Sequence, residues 1–239
     1  MTPQHPNARP AALAIGLPLL LFAALTVVLA VHGWTPLPVE SALHDWALTH
    51  RPRWAVTLVG VVTDLGIGIP PYLAAGTAGL LLASKCPRPR QRGTWIALAC
   101  APPTVLAVGQ LVRNLLMKAF ARPRPPVADW VAASPSGYSY PSGHAFTSAV
   151  AAGLLIWALL RGSRHSWRGP AVVALGAAAV AVGLSRVYLG VHWLLDITGA
   201  WALAAIWLAL AVPLLGRLPF QAKPETTRHS TVGGVNRLG

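Results

Sequence analysis

Three polar side chains lie close together in an otherwise apolar stretch of this sequence: Arg186, His192 and Asp196. If His192 opens a helix, Asp196 lies four residues on and shares its face. A carboxylate there accepts the imidazole Nδ1 proton, which fixes the tautomer and leaves Nε2 as a lone pair aimed elsewhere. Arg186 supplies a planar guanidinium fork, suited to a phosphate or a carboxylate. A histidine oriented by an acid beside an anion clamp has the chemistry of a nucleophile acting on an anionic phosphorus centre. The plainer alternative is a helix end with a satisfied His–Asp pair and an arginine reaching for the surface.

Two further segments carry matching chemistry. Lys118, Arg122 and Arg124 lie in one short segment, Lys118-Ala-Phe-Ala-Arg-Pro-Arg-Pro125. Cations at a helix end can be surface anchors, but opposite Arg186 they become a phosphate clamp. The tetrapeptide Pro141-Ser-Gly-His144 stands immediately before an apolar run. Ser142 suits an N-cap, Gly143 lets backbone approach a ligand, and free N–H groups at a helix N-terminus bind anions. His144 there can serve as general acid for a leaving alkoxide.

The elements that must position these groups are membrane spans. Of 239 residues, 54% are hydrophobic and only 10% charged, against about 25% charged in a soluble domain; the mean hydropathy is +0.55. Apolar runs over 11–31, 54–82, 94–120, 145–160, 170–184 and 193–215 predict six transmembrane helices and an all-α polytopic membrane protein. The first run is longer than a signal-peptide core and lacks a convincing cleavage context, so it reads as a retained span. Pro70 and Pro71 should kink or interrupt the second span, which also contains Asp64, and Pro102 and Pro103 should bend the third. Residues 34–53 read as an amphipathic helix at the interface, anchored by Trp34 and Trp46, with His44 and His50 interfacial rather than catalytic. Residues 1–10 and 217–239 read as disordered cytoplasmic tails flanking a transmembrane domain over 11–216.

Charge excludes several classes. The net charge is +13, but the basic residues fall in short loops between apolar spans, where topology signals sit, so nucleic acid is not the expected partner. The basic loops 84–93 and 161–169 place both termini in the cytoplasm and every unusual polar cluster on the outer face. Six acids, Glu40, Asp45, Asp64, Asp129, Asp196 and Glu225, are scattered, with no DxxD, HExxH or paired arrangement. That argues against a two-metal hydrolase or a glycosidase pair, and no metal or other cofactor is expected. Cys86 and Cys100 are isolated thiols that imply neither a disulfide framework nor a zinc site.

Taken together the motifs resemble the type 2 phosphatidic acid phosphatase superfamily, whose signature is K-x6-RP, then PSGH, then SR-x5-H-x3-D. Pro141 to His144 match the second motif; Ser185, Arg186, His192 and Asp196 match the third at every defined position. The first motif departs. Five residues separate Lys118 from Arg124, and three separate it from Arg122. A one-residue slip turns a helical side chain by about 100°. Arg124 is the better motif arginine, with Arg122 the alternative. The resemblance covers roughly residues 50–215.

That resemblance implies a metal-independent lipid phosphate phosphatase. His192 attacks phosphorus and forms a phosphohistidine, Asp196 orients it, and His144 protonates the departing oxygen. Lys118, Arg124, Ser142, Gly143 and Arg186 hold the phosphate oxygens. The implied substrates are undecaprenyl diphosphate, which is preferred, phosphatidate and phosphatidylglycerophosphate. A lipid phosphotransferase or a non-catalytic lipid-phosphate transporter would keep the same motifs. A vanadate-dependent haloperoxidase, with a similar anion site, is a soluble protein and fits six spans poorly. The bilayer is the expected surrounding; no oligomeric state follows.

Overall fold

Apolar runs of this length satisfy their backbone groups internally, and helices do so without a partner strand. The computed structural model describes residues 8–85, 92–133, 137–161 and 165–218. They form eight α-helices: α1 (Ala8–Val31), α2 (Pro38–Thr49), α3 (Arg53–Asp64), α4 (Ile69–Ala83), α5 (Arg92–Phe120), α6 (Gly143–Leu160), α7 (Arg168–Tyr188) and α8 (Leu194–Leu215). Five of these, α1, α5, α6, α7 and α8, are long and apolar enough to cross a membrane, and α3 with α4 makes a sixth if that bent pair is one span. Most of the two tails expected to be disordered, and the centres of the basic loops, lie outside the described residues.

The second span is interrupted, one of the two outcomes that Pro70 and Pro71 suggest. Residues 65–68 break it, and α3 and α4 meet at 41°. Pro70 and Pro71 stand in the first turn of α4, where a missing N–H costs nothing. Asp64 is therefore the exposed last residue of α3 and not a carboxylate buried within a span. The prolines of the third span, Pro102 and Pro103, lie inside an unbroken α5. Pro103 has no N–H to offer the Ala99 carbonyl. A Cβ on Gly79 would sit 2.1 Å from that same oxygen, so only glycine lets α4 pack against α5 at this crossing.

Helix α6 is the centre of the bundle and packs against α4, α5, α7 and α8; α1 covers α8, and α3 covers α7. The core joins Ala75, Ala78 and Leu82 of α4, Leu98 and Leu106 of α5, Phe146, Val150 and Leu154 of α6, and Ile197, Ala200 and Leu203 of α8. The outer face is equally apolar: Leu13, Leu17 and Leu20 of α1 are each more than 60% exposed. In water such a surface would be unstable, whereas in lipid it is ordinary. Helix α2 is amphipathic, as expected, yet its inner face buries Glu40, His44 and Ala47. It brings Glu40 to the start of α8 and so takes part in building the site.

Candidate active site

The site forms where α5 ends and α6 and α8 begin. His192 precedes α8 by two residues instead of opening it, because Trp193 takes the N-cap position. The relation to Asp196 survives: His192 Nδ1 lies 3.2 Å from Asp196 Oδ2. The Trp193 N–H donates to the same oxygen at 2.9 Å. Asp196 Oδ1 accepts from Arg122 Nη1 at 2.7 Å and from Ser139 Oγ at 3.2 Å. An ionised carboxylate only accepts, so Nδ1 carries the imidazole proton. Nε2 is then a lone pair, and it accepts from Arg124 Nη1 at 2.9 Å, with Ser142 Oγ at 3.4 Å.

The pairing of Asp196 reaches further than its histidine. Arg122 is completely buried and also donates to both oxygens of Glu40, at 3.2 and 2.7 Å. Glu40 in turn accepts from the backbone N–H of Leu37 and of Leu195, each at 2.9 Å. One buried cation thus sits between two buried carboxylates at the start of α8. Its two partners hold the Arg122 guanidinium above the ordinary arginine range against the opposing effect of burial. Glu40 was legible only as a polar residue of an amphipathic helix. Its place in the first turn after Pro38 was the available signal, because an acid there is favoured by the unpaired N–H groups.

A cavity of about 240 Å³ opens beside His192. Arg113, Arg124, His144 and His192 face it, with Gln110, Asn114 and Thr147 continuing the polar lining and Gly66, Ile67 and Gly143 closing it. Ser142 stands at the N-cap of α6 but makes no side-chain cap bond; its buried hydroxyl turns toward His192. Gly143 begins α6, whose first N–H groups have no partner within the helix. A Cβ at Gly143 would lie 2.9 Å from Arg113 Nη2, so the missing side chain makes room for a guanidinium.

The geometry separates the four cations near the end of α5, Arg113, Lys118, Arg122 and Arg124. Ala121 has φ 51° and ends α5 in the left-handed region. That turn sends Arg122 inward to Glu40 and Asp196, and Arg124 to Val191 O at 2.7 Å and to His192. Arg124 is thereby the arginine of the pocket, and Arg122 supports it. Lys118 is exposed and does not line the cavity. Seven positions before Arg124 stands Met117, and one turn earlier Arg113 donates to its sulfur at 3.2 Å. Five residues along a helix turn the direction by about 140°, so Lys118 points away when Arg113 points in. Arg113 also donates to Pro141 O and to the neighbouring Asn114 side chain. An arginine inside an apolar span was the signal for it.

Arg186 is 1% exposed and donates to Thr63 Oγ1 at 3.1 Å and to Ala133 O at 3.3 Å, while its buried Nε has no partner among the described residues. Burial first, and then Arg124, Arg186, Arg113 and Arg122, push the His192 imidazole well below its usual range. His44, read as interfacial, is buried beside Trp193 and pairs with Asp129 at 3.1 Å, outside the cavity.

The chain is similar to several known proteins. The family model of the PAP2 superfamily matches residues 98–219. Phosphatidylglycerophosphatase B of Bacillus subtilis is 28% identical over 188 residues, spanning 76% of this chain and 86% of that protein. Undecaprenyl-diphosphatase of Sulfolobus acidocaldarius is 42% identical over 76 residues, 31% of this chain and 32% of that one. The crystal structure of a transmembrane PAP2-type phosphatidylglycerolphosphate phosphatase from Bacillus subtilis superposes with a TM-score of 0.68 at 23% identity. It covers 87% of this chain and 98% of that one, which establishes the likeness of fold.

Proposed function

The chain belongs to the PAP2 superfamily, and from that premise we propose that it hydrolyses the terminal phosphate of a membrane lipid through a phosphohistidine on His192. The observation that carries this reading is the Nε2 lone pair, held by the Nδ1–Asp196 contact and directed at a cavity edged by Arg113 and Arg124. Substrate phosphate takes over the Arg124 donor and frees Nε2 to attack. The N–P bond forms as the bond from phosphorus to the lipid oxygen breaks, and His144 gives that oxygen its proton. His144 then takes a proton from water as the water oxygen displaces His192 from phosphorus. Asp196 offsets the positive charge that grows on the imidazole. Arg113, Arg124, Arg186, Ser142 and the Gly143 N–H hold the phosphate oxygens, and preorganised donors of this kind supply the largest part of such a rate enhancement.

The substrate is an amphiphile whose head enters the cavity while its tail stays between helices. Undecaprenyl diphosphate is favoured over phosphatidylglycerophosphate. Beyond Arg113 the lining continues through Asn114, Gln110 and Thr147, which suits a second phosphate directly joined to the first. The positive-inside distribution of the flanking loops supports a site at the outer membrane face and both termini in the cytoplasm.

Phosphate release in detergent with EDTA tests the reading, using wild type and His192→Ala with each of the two lipids. Release that disappears in the variant supports it, and the faster lipid is the substrate. Loss of the lipid's terminal phosphate only with an added acceptor alcohol, recovered as the phosphorylated alcohol and not as free phosphate, would reveal a phosphotransferase. Lipid movement without release would reveal a transporter.

A further inference from the structure

At the end of the bundle remote from His192, the chain builds a second cationic cavity. Lys85, just past α4, faces His165, Trp167 and Arg168 at the start of α7 across about 220 Å³, floored by Leu81 and Ala158. Arg161, at the end of α6, lies over the Trp157 ring at 5.2 Å and acts on Lys85 electrostatically. The Lys85 Nζ is shielded from solvent and has no hydrogen-bond partner among the described residues. An ammonium carries three donors, and burying it unpaired is costly. Burial first, and then Arg161 and Arg168, lower the Lys85 pKa from the ordinary lysine value.

No carboxylate of the surrounding helices can relieve this. The sequence has no Asp or Glu between Asp64 and Asp129, or between Asp129 and Asp196. Helix α4, helix α6, helix α7 and both adjoining loops are therefore free of acids. A lysine that merely reaches for the interface carries its ammonium out to water; this one turns it into a cavity. The cavity is cationic on one side and apolar on the other, and Trp167, 53% exposed, stands at its rim in the manner of an interfacial anchor.

We propose that Lys85, Arg161, His165 and Arg168 bind the phosphate of an anionic phospholipid from the leaflet opposite the catalytic cavity. The lipid phosphate supplies the missing counter-anion, and its acyl chains continue along Leu81 and Ala158. This site does not depend on the reaction assigned to His192.

The test is native mass spectrometry of the full chain in detergent, titrated with phosphatidylglycerol or phosphatidylcholine. Wild type is compared with Lys85→Gln, Lys85→Gln/Arg168→Gln and, as a control, Arg53→Gln. Gel filtration selects variants that remain monodisperse. The double variant is expected to bind phosphatidylglycerol at least about tenfold more weakly, with phosphatidylcholine binding and the control unchanged. Equal phosphatidylglycerol binding by wild type and double variant would overturn the proposal. So would inorganic phosphate displacing the bound lipid at equal concentration, because the site would then belong to a free anion.

Discussion

Arg124 Nη1 donates to His192 Nε2 at 2.9 Å, and the same nitrogen donates to the Val191 carbonyl at 2.7 Å. In the proposed mechanism the attacking lone pair is thus held by the group that must later hold the phosphate. Arg124→Ala is expected to lower kcat/KM by about 10²–10³. Arg124→Lys should recover little of it, because a point charge cannot serve Val191 and phosphate in one plane. Steady-state phosphate release measures both. Full activity in the lysine variant would refute the bidentate role.

The same neighbourhood fixes a pH dependence. Burial, followed by the cations led by Arg124, lowers the His192 pKa. A base with a lowered pKa stays neutral to more acid pH, so the nucleophile remains unprotonated below the ordinary histidine value of about 6.5. Once substrate ionisation is corrected for, the acid limb of kcat/KM, which reports the free enzyme's base, should lie below that value; the alkaline limb belongs to the proposed acid, His144. Arg124→Gln removes the leading cation, and its acid limb should move upward. An acid limb that stays in place would contradict this.

Arg113, not Lys118, is expected to be the phosphate cation of α5. Arg113→Ala should cost about 10²–10³ in kcat/KM, whereas Lys118→Ala, an exposed truncation, should leave activity within about threefold. Parallel kinetics of the two variants decide it, and a larger loss at Lys118 would reverse the assignment. Gly143→Ala is a subtler probe of the same contact, because its Cβ would press on the Arg113 guanidinium at 2.9 Å. A raised KM with an intact fold is expected; an unchanged KM would mean that the guanidinium is free to shift.

Glu40 holds Arg122 and the N-terminus of α8 together. Glu40→Ala leaves the buried guanidinium with one carboxylate instead of two, and breaking such a pair costs about 3–5 kcal/mol. Unfolding in detergent should register this loss, and kcat should fall with it as Asp196 loses its fixed orientation. Glu40→Gln keeps the shape and one acceptor and should lie between the two. Unchanged stability in Glu40→Ala would remove Glu40 from the account.

How far the sequence disclosed the site depends on whether a contact is local. His192 and Asp196 are four residues apart and their relation could be read directly, as could Ser142, Gly143 and His144 at one helix start. The spans were legible because apolar length is a one-dimensional property. Glu40 meets Arg122 across 82 residues, and no spacing rule reaches that far. The exchange of Lys118 for Arg113 follows from how α5 is rotated and where Ala121 ends it. The break at 65–68 was foreseeable from Pro70 and Pro71, but placing those prolines at a helix start required the path of the chain.

The central claim is that phosphate is transferred to His192 before water releases it. The direct measurement is to mix the protein with lipid labelled in its terminal phosphate, quench within milliseconds in alkali, and follow protein-bound label. The account predicts label on wild type that is stable in alkali and lost in acid, as an N–P bond requires, and absent from His192→Ala. Normal turnover with no bound label, or equal label on His192→Ala, would contradict it.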